Sequence, residues 1–268
     1  MSTVQIREDF LPSQAPSTTC ARRIDFEKSD PPLPKYKDLF AAVIDNFLTE
    51  AECQELIKLA EASTSDGWER ALINIGGGRQ MLATDTRNCA RIIWDSPELA
   101  KRLLDRLMPF LRDFEIDKFT NRLRVTGLAG RGKSYCLTEL NERLRFLRYE
   151  GGEYFRPHWD GKYEAPNGDA SYYTIHLYLN GMGDQDLQDL IKAEKKKESN
   201  PDPKGELLGG ATSFCPIPSF KSSDEQLRVF PRTGSILIFQ QKDLMHSGDP
   251  VFSGTKYTMR TDIMYREL

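Results

Sequence analysis

From Leu144 onward the chain breaks into short β-prone runs, LRFLRY, EYFRPHW, SYYTIHLYLN, GGATSF, LRVFP, SILIFQQ and KYTMRTDIMY, separated by turn residues rather than helices. Strands rich in Tyr, Phe, Ile, Val and Thr need a second layer to cover their apolar sides. Many of them in succession therefore imply a sandwich or a barrel. The exception is the stretch 183–205. Its polar, charged text (DQDLQDLIKAEKKKESNPDPKG) predicts an exposed helical insertion in a loop, with the charge run as solvated surface. Pro231-Arg232-Thr233-Gly234 predicts a tight turn before the SILIF run and carries no chemistry.

Upstream the texture is mixed. Residues 1–36 hold Pro12, Pro16 and a DPPLPKY segment without an apolar period, which predicts a disordered tail ahead of one folded domain over 37–268. A strand is expected in Phe40–Phe47. Thr49 and Glu52 are spaced as a capping box, so a helix should run from about Glu50 to Ala62, with Cys53, Leu56, Ile57 and Leu59 on its core side. Gly76-Gly77-Gly78 after Ile75 predicts a flexible loop. Ser96-Pro97-Glu98 is a second helix start, followed by Leu99, Leu103 and Leu107 at helical spacing, and Pro109 should end or kink that helix.

Composition excludes several classes. A formal charge of −3 over 268 residues gives no global basic field for nucleic acid or an anionic membrane. No apolar run approaches the ~18 residues that span a bilayer, and the first residues lack the basic-then-apolar build of a secretory signal. The five cysteines (Cys20, Cys53, Cys89, Cys136 and Cys215) are odd in number and never CxxC, so reduced thiols in a cytoplasmic or nuclear protein are expected. Oligomeric state is not legible.

The chain has three histidines. In His158-Trp159-Asp160 an imidazole and a carboxylate two residues apart share one face of an extended segment and can converge on a metal. His246, beyond the SILIF strand, can complete a 2-His-1-carboxylate triad that leaves open positions. The HExxH helix of many zinc hydrolases is absent. An isolated HxD is weak evidence, but its order here is specific: an aromatic strand, HxD, a Tyr-Leu-Asn strand end, GG-A-T-S-F, a P-x-x-G-S turn, a strand, His246, and a cation ten residues later.

In that order the chain resembles the prolyl 4-hydroxylase-like branch of the Fe(II)/2-oxoglutarate oxygenases, over about 38–266 and most strongly over 144–265. The resemblance implies a mainly β fold with flanking helices, a double-stranded β-helix (jelly-roll, cupin-like) barrel. It implies His158, Asp160 and His246 as iron ligands, and Fe(II), 2-oxoglutarate and O2 as the reagents, with ascorbate as an accessory reductant. The expected activity is hydroxylation of a protein side chain or a small-molecule C–H bond, with release of succinate and CO2. By the same resemblance Lys256, in Gly254-Thr255-Lys256-Tyr257, is the first choice for the distal carboxylate of 2-oxoglutarate. Arg260 has the same facing and is the alternative. Tyr178 and Tyr149 resemble positions that line and contact the co-substrate, each with the alternative of a core aromatic. His176 has no place in the pattern and is expected to be a hydrogen-bonded histidine near the core. Gly209-Gly210-Ala211-Thr212 resembles a segment that brings backbone close to the barrel, with an ordinary turn as the alternative. Arg145, Arg148, Arg156 and Trp159 flank the triad and could meet an acidic or aromatic substrate, or simply face solvent.

One motif competes. Gly127 to Ser134 (GLAGRGKS) matches the phosphate-cradling GxxxxGKS loop. Its neighbourhood lacks the apolar strand before it and the alternating strands and helices of nucleotide hydrolases, so a basic, glycine-rich loop bordering the substrate entrance is expected instead. A phosphate-loop nucleotide enzyme and a non-catalytic metal-binding barrel are the two rival functions.

Overall fold

The computed structural model describes residues 4–74, 79–196, 202–216 and 226–268. Two antiparallel sheets face one another. The larger runs Cys20–Arg23, Ala41–Asp45, Ile236–Gln240, Ala170–Tyr178, Lys256–Glu267, Arg143–Tyr149, Ala90–Asp95 and Glu69–Arg70, with Lys118–Thr120 and Ser134–Leu140 attached beside Lys256–Glu267. The smaller runs Leu227–Val229, Thr212–Phe214, His246–Gly248, Tyr154–His158 and Arg87–Asn88. The run of short strands predicts two packed β layers, and the arrangement is the mainly β, double-stranded β-helix that the resemblance implies.

Strand parity decides what each sheet face does. In the large sheet Ile44, Ile92, Phe146, Tyr173, Ile175, Leu177, Ile238, Met259 and Ile263 point to one side and form a single core with helices Glu50–Ala62 and Pro97–Asp113. Cys53, Leu56 and Leu59 come from the first helix and Leu99, Leu103, Leu107 and Leu111 from the second. At roughly 1.5–3 kcal/mol for each large apolar side chain removed from water, this layer fixes the large sheet as a rigid floor. The alternate residues, Thr174, His176, Tyr178, Lys256, Thr258 and Arg260, are left to face the small sheet.

Both helix starts form as the sequence predicts. Thr49 and Glu52 make a reciprocal capping box, and Ser96 accepts a bond from the Leu99 N–H. Pro109 does not end its helix, which continues to Asp113. A proline there forfeits one backbone bond, and buried Leu107 and Leu111 on either side anchor the last turn.

The disordered tail is not observed for residues 4–36. Phe10 and Leu11 are buried in the helix-side core, and Ile24, Phe26, Leu33 and Tyr36 plug one end of the space between the sheets. Cys20–Arg23 adds a strand to the large sheet beside Ala41–Asp45. Arg106, 1% exposed, donates to Pro12 O at 2.7 Å, and Arg102 to Arg7 O and Phe10 O at 2.7 and 2.6 Å. These anchors act singly, so no periodic pattern announces them. The expected helix within 183–205 is present as Leu187–Lys196. The Gly76–Gly78 loop lies outside the described residues.

GLAGRGKS does not cradle phosphate geometry. A short 3-10 turn, Leu128–Gly130, leads into a strand at Ser134, where a phosphate loop would open a helix. Lys133 pairs with Glu267 at 2.9 Å, and the loop packs beside Asn121 and Lys242, at the opposite end of the Lys256–Glu267 strand from Lys256.

Candidate functional site

The smaller sheet supplies two of the candidate ligands. His158 ends the Tyr154–His158 strand and stands directly across from His246, which opens His246–Gly248. Three residues apart, Phe155 and His158 would face opposite sides of a regular strand. A register irregularity between them turns both inward, and their rings stack at 3.6 Å between centroids. Asp160 lies just past the strand end, not on it. The sequence expectation of one shared extended face is therefore met only in effect: the carboxylate is held by the large sheet, with Thr174 Oγ1 donating to Oδ2 at 2.7 Å and Arg260 Nη2 at 3.0 Å from Oδ1.

The three ligand atoms of His158, Asp160 and His246 all lie within 4.8 Å of one another. His158 Nε2 is 3.8 Å from Asp160 Oδ1, and His246 Nε2 is 3.7 Å from Oδ2. Each imidazole has its Nδ1 against a backbone carbonyl, Arg156 O at 2.7 Å and Leu244 O at 3.2 Å. Donation from Nδ1–H fixes the tautomer that presents the Nε2 lone pair to the centre. Burial, reinforced by the facing His246, pushes His158 down to about 3, and burial lowers His246 as well, so both rings are neutral near neutral pH. Burial alone would raise Asp160. Arg260 and the two histidines outweigh it and hold the carboxyl well below the usual range. Two neutral imidazoles and a carboxylate on one side of a point are a donor set for a divalent first-row metal with positions left open.

Deeper between the sheets sits Lys256, 2% exposed, its Nζ over the rings of Tyr149 at 5.2 Å and Tyr178 at 5.7 Å, with no ion pair among the described residues. Burial lowers it to about 8. Beside it on the same face are Thr258 Oγ1 and His176 Nε2, both buried and both without a hydrogen-bond partner among the described residues. The expectation of a hydrogen-bonded His176 is thus not met. Its ring stacks on Tyr178 at 5.1 Å and leaves Nε2 bare. Tyr178 donates its hydroxyl to Thr212 at 2.8 Å, which holds the ring as a wall. Arg260, the alternative anchor, is committed to Asp160 and to Asp262, 3.3 Å away. Gly209 and Gly210 do make the close approach expected of them: a Cβ on Gly209 would lie 2.2 Å from Pro250 O, and one on Gly210 would lie 2.9 Å from Lys256 Cδ.

Of the flanking residues, only Arg145 turns inward. Arg148 packs over Trp68 on the helix side, Arg156 lies outside over Tyr154, and Trp159 is largely exposed. The sequence reading overlooked Thr174, Thr258 and Arg87. Parity with Tyr178 and Lys256 would have found the two threonines. Arg87 sits in a two-residue strand that carries no periodic signal.

Residues 144–261 match the model of the 2OG-Fe(II) oxygenase superfamily. The reagents of that superfamily are Fe(II), 2-oxoglutarate and O2, and the chain is an oxygenase-type enzyme. In fold it is like solved prolyl hydroxylases. One is the Trichoplax adhaerens enzyme bound to a hypoxia-inducible-factor peptide fragment, at 16% identity and TM-score 0.50 over 83% of this chain and 82% of that one. Another is a viral collagen prolyl hydroxylase from Paramecium bursaria Chlorella virus-1, at 19% identity and TM-score 0.46 over 84% and 95%. A third is a Pseudomonas putida prolyl-4-hydroxylase, at 16% and 0.48 over 89% and 95%. No curated protein matches the chain.

Proposed function

We propose that His158, Asp160 and His246 bind Fe(II), that Lys256 holds the distal carboxylate of 2-oxoglutarate, and that the protein hydroxylates a C–H bond of a protein side chain or a small molecule. The observation that carries this reading is the occurrence, on the same inner face as the triad, of a buried ammonium that forms no ion pair among the described residues. A desolvated lysine beside two bare hydrogen-bonding groups, Thr258 Oγ1 and His176 Nε2, is costly unless an anion completes it. Tyr149 and Tyr178 wall that space, and Tyr149 is the candidate to reach the co-substrate with its hydroxyl. Bound Fe(II), 2-oxoglutarate and O2 supply the oxidising chemistry, with succinate and CO2 as by-products. The residues supply placement: Nδ1 bonds aim the imidazoles, and Thr174 and Arg260 orient Asp160.

A peptidyl or small-molecule substrate, and a cytoplasmic or nuclear setting, belong to the same proposal. Five free cysteines suit a reducing compartment. The test is succinate formation from 2-oxoglutarate by the purified protein with Fe(II), ascorbate and air, alongside 2-oxoglutarate binding to the anaerobic iron form. Loss of turnover in both His158→Ala and Asp160→Ala supports the reading. Wild-type protein that neither turns over nor binds 2-oxoglutarate would overturn it.

A further inference from the structure

The chain crosses from the small sheet to the large one at Cys89, joining Arg87–Asn88 to Ala90–Asp95 and closing the side of the barrel next to the triad. Arg87, Cys89 and Arg91 are two apart. Cys89 is buried with Leu147 and Tyr149 from the inner face, so the two arginines flanking it look the same way. Arg87, 9% exposed, lies with its guanidinium 4.7 Å from the Phe155 ring centroid, and Phe155 stacks on His158. Arg91 stands across from Leu147, and Arg145, two residues along, stands across from Arg260.

Positive charge around this rim exceeds its partners. Arg143 is satisfied by Asp95 through two bonds of 2.8 Å. Arg145 and Arg260 share Asp262, at 3.4 and 3.3 Å, and Arg260 also holds Asp160. Arg87 and Arg91 form no ion pair among the described residues. Arg91 donates to Gln80 at 3.1 Å and Arg87 to Leu72 O at 3.5 Å, while the Nε of each is buried with no partner among the described residues. Leaving one such buried donor unmade costs about 1–3 kcal/mol, and here two occur on neighbouring guanidiniums that repel each other. Burial and the charge of Arg87 work against the protonated form of Arg91, with exposed Glu69, directly across the strand pair, as the opposing charge; Arg87, also buried, keeps its charge because Cys89, Tyr149 and Asp160 lie near it. A carboxylate between them would satisfy the donors and cancel the repulsion, with the planar fork geometry that guanidinium favours.

We infer that the substrate carries a carboxylate, which docks on Arg91 with Arg87 behind it and so presents a neighbouring C–H bond to the metal centre. This rests on the oxygenase reading of the triad. Lys256, walled by Tyr149 and Tyr178, serves the co-substrate; the arginines at the barrel side serve the substrate.

The test uses the full chain with Fe(II), 2-oxoglutarate and ascorbate. Probes are free mono- and dicarboxylic acids, acidic amino acids, and peptides containing Asp or Glu, each paired with its primary amide. Succinate formed above the rate without probe is the readout. The expected result is stimulation by an acid and not by its amide, and the responding arm shows whether a small acid or a peptide is recognised. Arg91→Gln should raise the half-saturating concentration of that probe by about tenfold or more while the maximal rate changes far less, and Arg91→Lys should recover part of the loss. Three results would overturn the inference: amides that stimulate as well as acids, no stimulation by any acid although 2-oxoglutarate binds the anaerobic iron form, or a shift in half-saturating 2-oxoglutarate in place of the probe's. Absence of 2-oxoglutarate binding by the wild type would remove the oxygenase reading together with it.

Discussion

Thr174 donates to Asp160 across the two sheets at 2.7 Å, so the carboxylate of the candidate triad is oriented by a hydroxyl on the floor strand and not by its own segment. Because Asp160 lies outside regular structure, this bond and the Arg260 contact define where it points. Replacing Thr174 by Val keeps the shape and removes the donor. Loss of such a supporting bond costs about 10–100-fold in metal affinity. We expect Fe(II) affinity, read by anaerobic titration, to fall within that range while the melting temperature without metal moves little. Unchanged affinity would mean that Arg260 alone orients Asp160.

Gly210 and Lys256 make a second dependent pair. Gly210 has a left-handed backbone (φ +71°), and a Cβ there would press on Lys256 Cδ. Gly210→Ala should therefore weaken 2-oxoglutarate binding in the same direction as Lys256→Ala. A charge-assisted bond worth about 1.5–3 kcal/mol predicts a rise of roughly 10–150-fold in KM for 2-oxoglutarate in Lys256→Ala, and a smaller rise in Gly210→Ala. Iron affinity should hold in both. Steady-state kinetics with varied 2-oxoglutarate checks this; a normal KM in Lys256→Ala would move the anchor to another residue.

The legible parts of the fold were those that a local pattern carries. Thr49 with Glu52, and Ser96 with Pro97, mark helix starts by spacing alone, and both helices begin there. His158, Asp160 and His246 were legible from their order along the chain, and the structure brings them together. What escaped depends on single long-range contacts. Phe10 and Leu11 look like tail residues until Arg102 and Arg106 are seen to hold the backbone around them, from Arg7 to Pro12. Arg87 goes unnoticed in the sequence until its two-residue strand is seen beside Phe155. His176 misled in another way: buried histidines are normally paired, and this one faces the space proposed for a ligand.

Arg106 is the strut of the helix layer. It bonds Glu52 at 2.7 and 3.1 Å, Phe47 O at 3.3 Å and Pro12 O at 2.7 Å. Arg106→Met strands a largely buried carboxylate and two carbonyls, and we expect a loss of about 3–5 kcal/mol, read as a lower urea midpoint. Burial would raise Glu52, but Arg106 and the Thr49 N–H outweigh it, so its folded pKa is depressed. The sign follows: this contribution is present above the unfolded carboxyl pKa and is lost as pH falls through the folded value. Arg106→Met combined with Glu52→Gln removes this pH-dependent contribution, so whatever acid loss remains in that variant belongs to other carboxylates. With Glu52 dominant, the same double variant should show the flatter stability profile below pH 5, and the urea midpoint measured against pH separates the two.

Lys256 makes a prediction of opposite sign. Burial lowers the ammonium to about 8 in the protein without ligands, and a bound carboxylate favours the charged form. Below about pH 8 the anchor is charged and 2-oxoglutarate binds at full strength. Above it, free enzyme must take up a proton to bind, so the half-saturating 2-oxoglutarate should climb toward about tenfold per pH unit. Lys256→Arg keeps its charge throughout this range and should flatten the rise, whatever its absolute affinity. Measuring 2-oxoglutarate binding to the anaerobic iron form from pH 6.5 to 9.5 checks the point without relying on turnover. A rise that persists unchanged in Lys256→Arg would assign the titration to a different group and leave Lys256 as packing between Tyr149 and Tyr178.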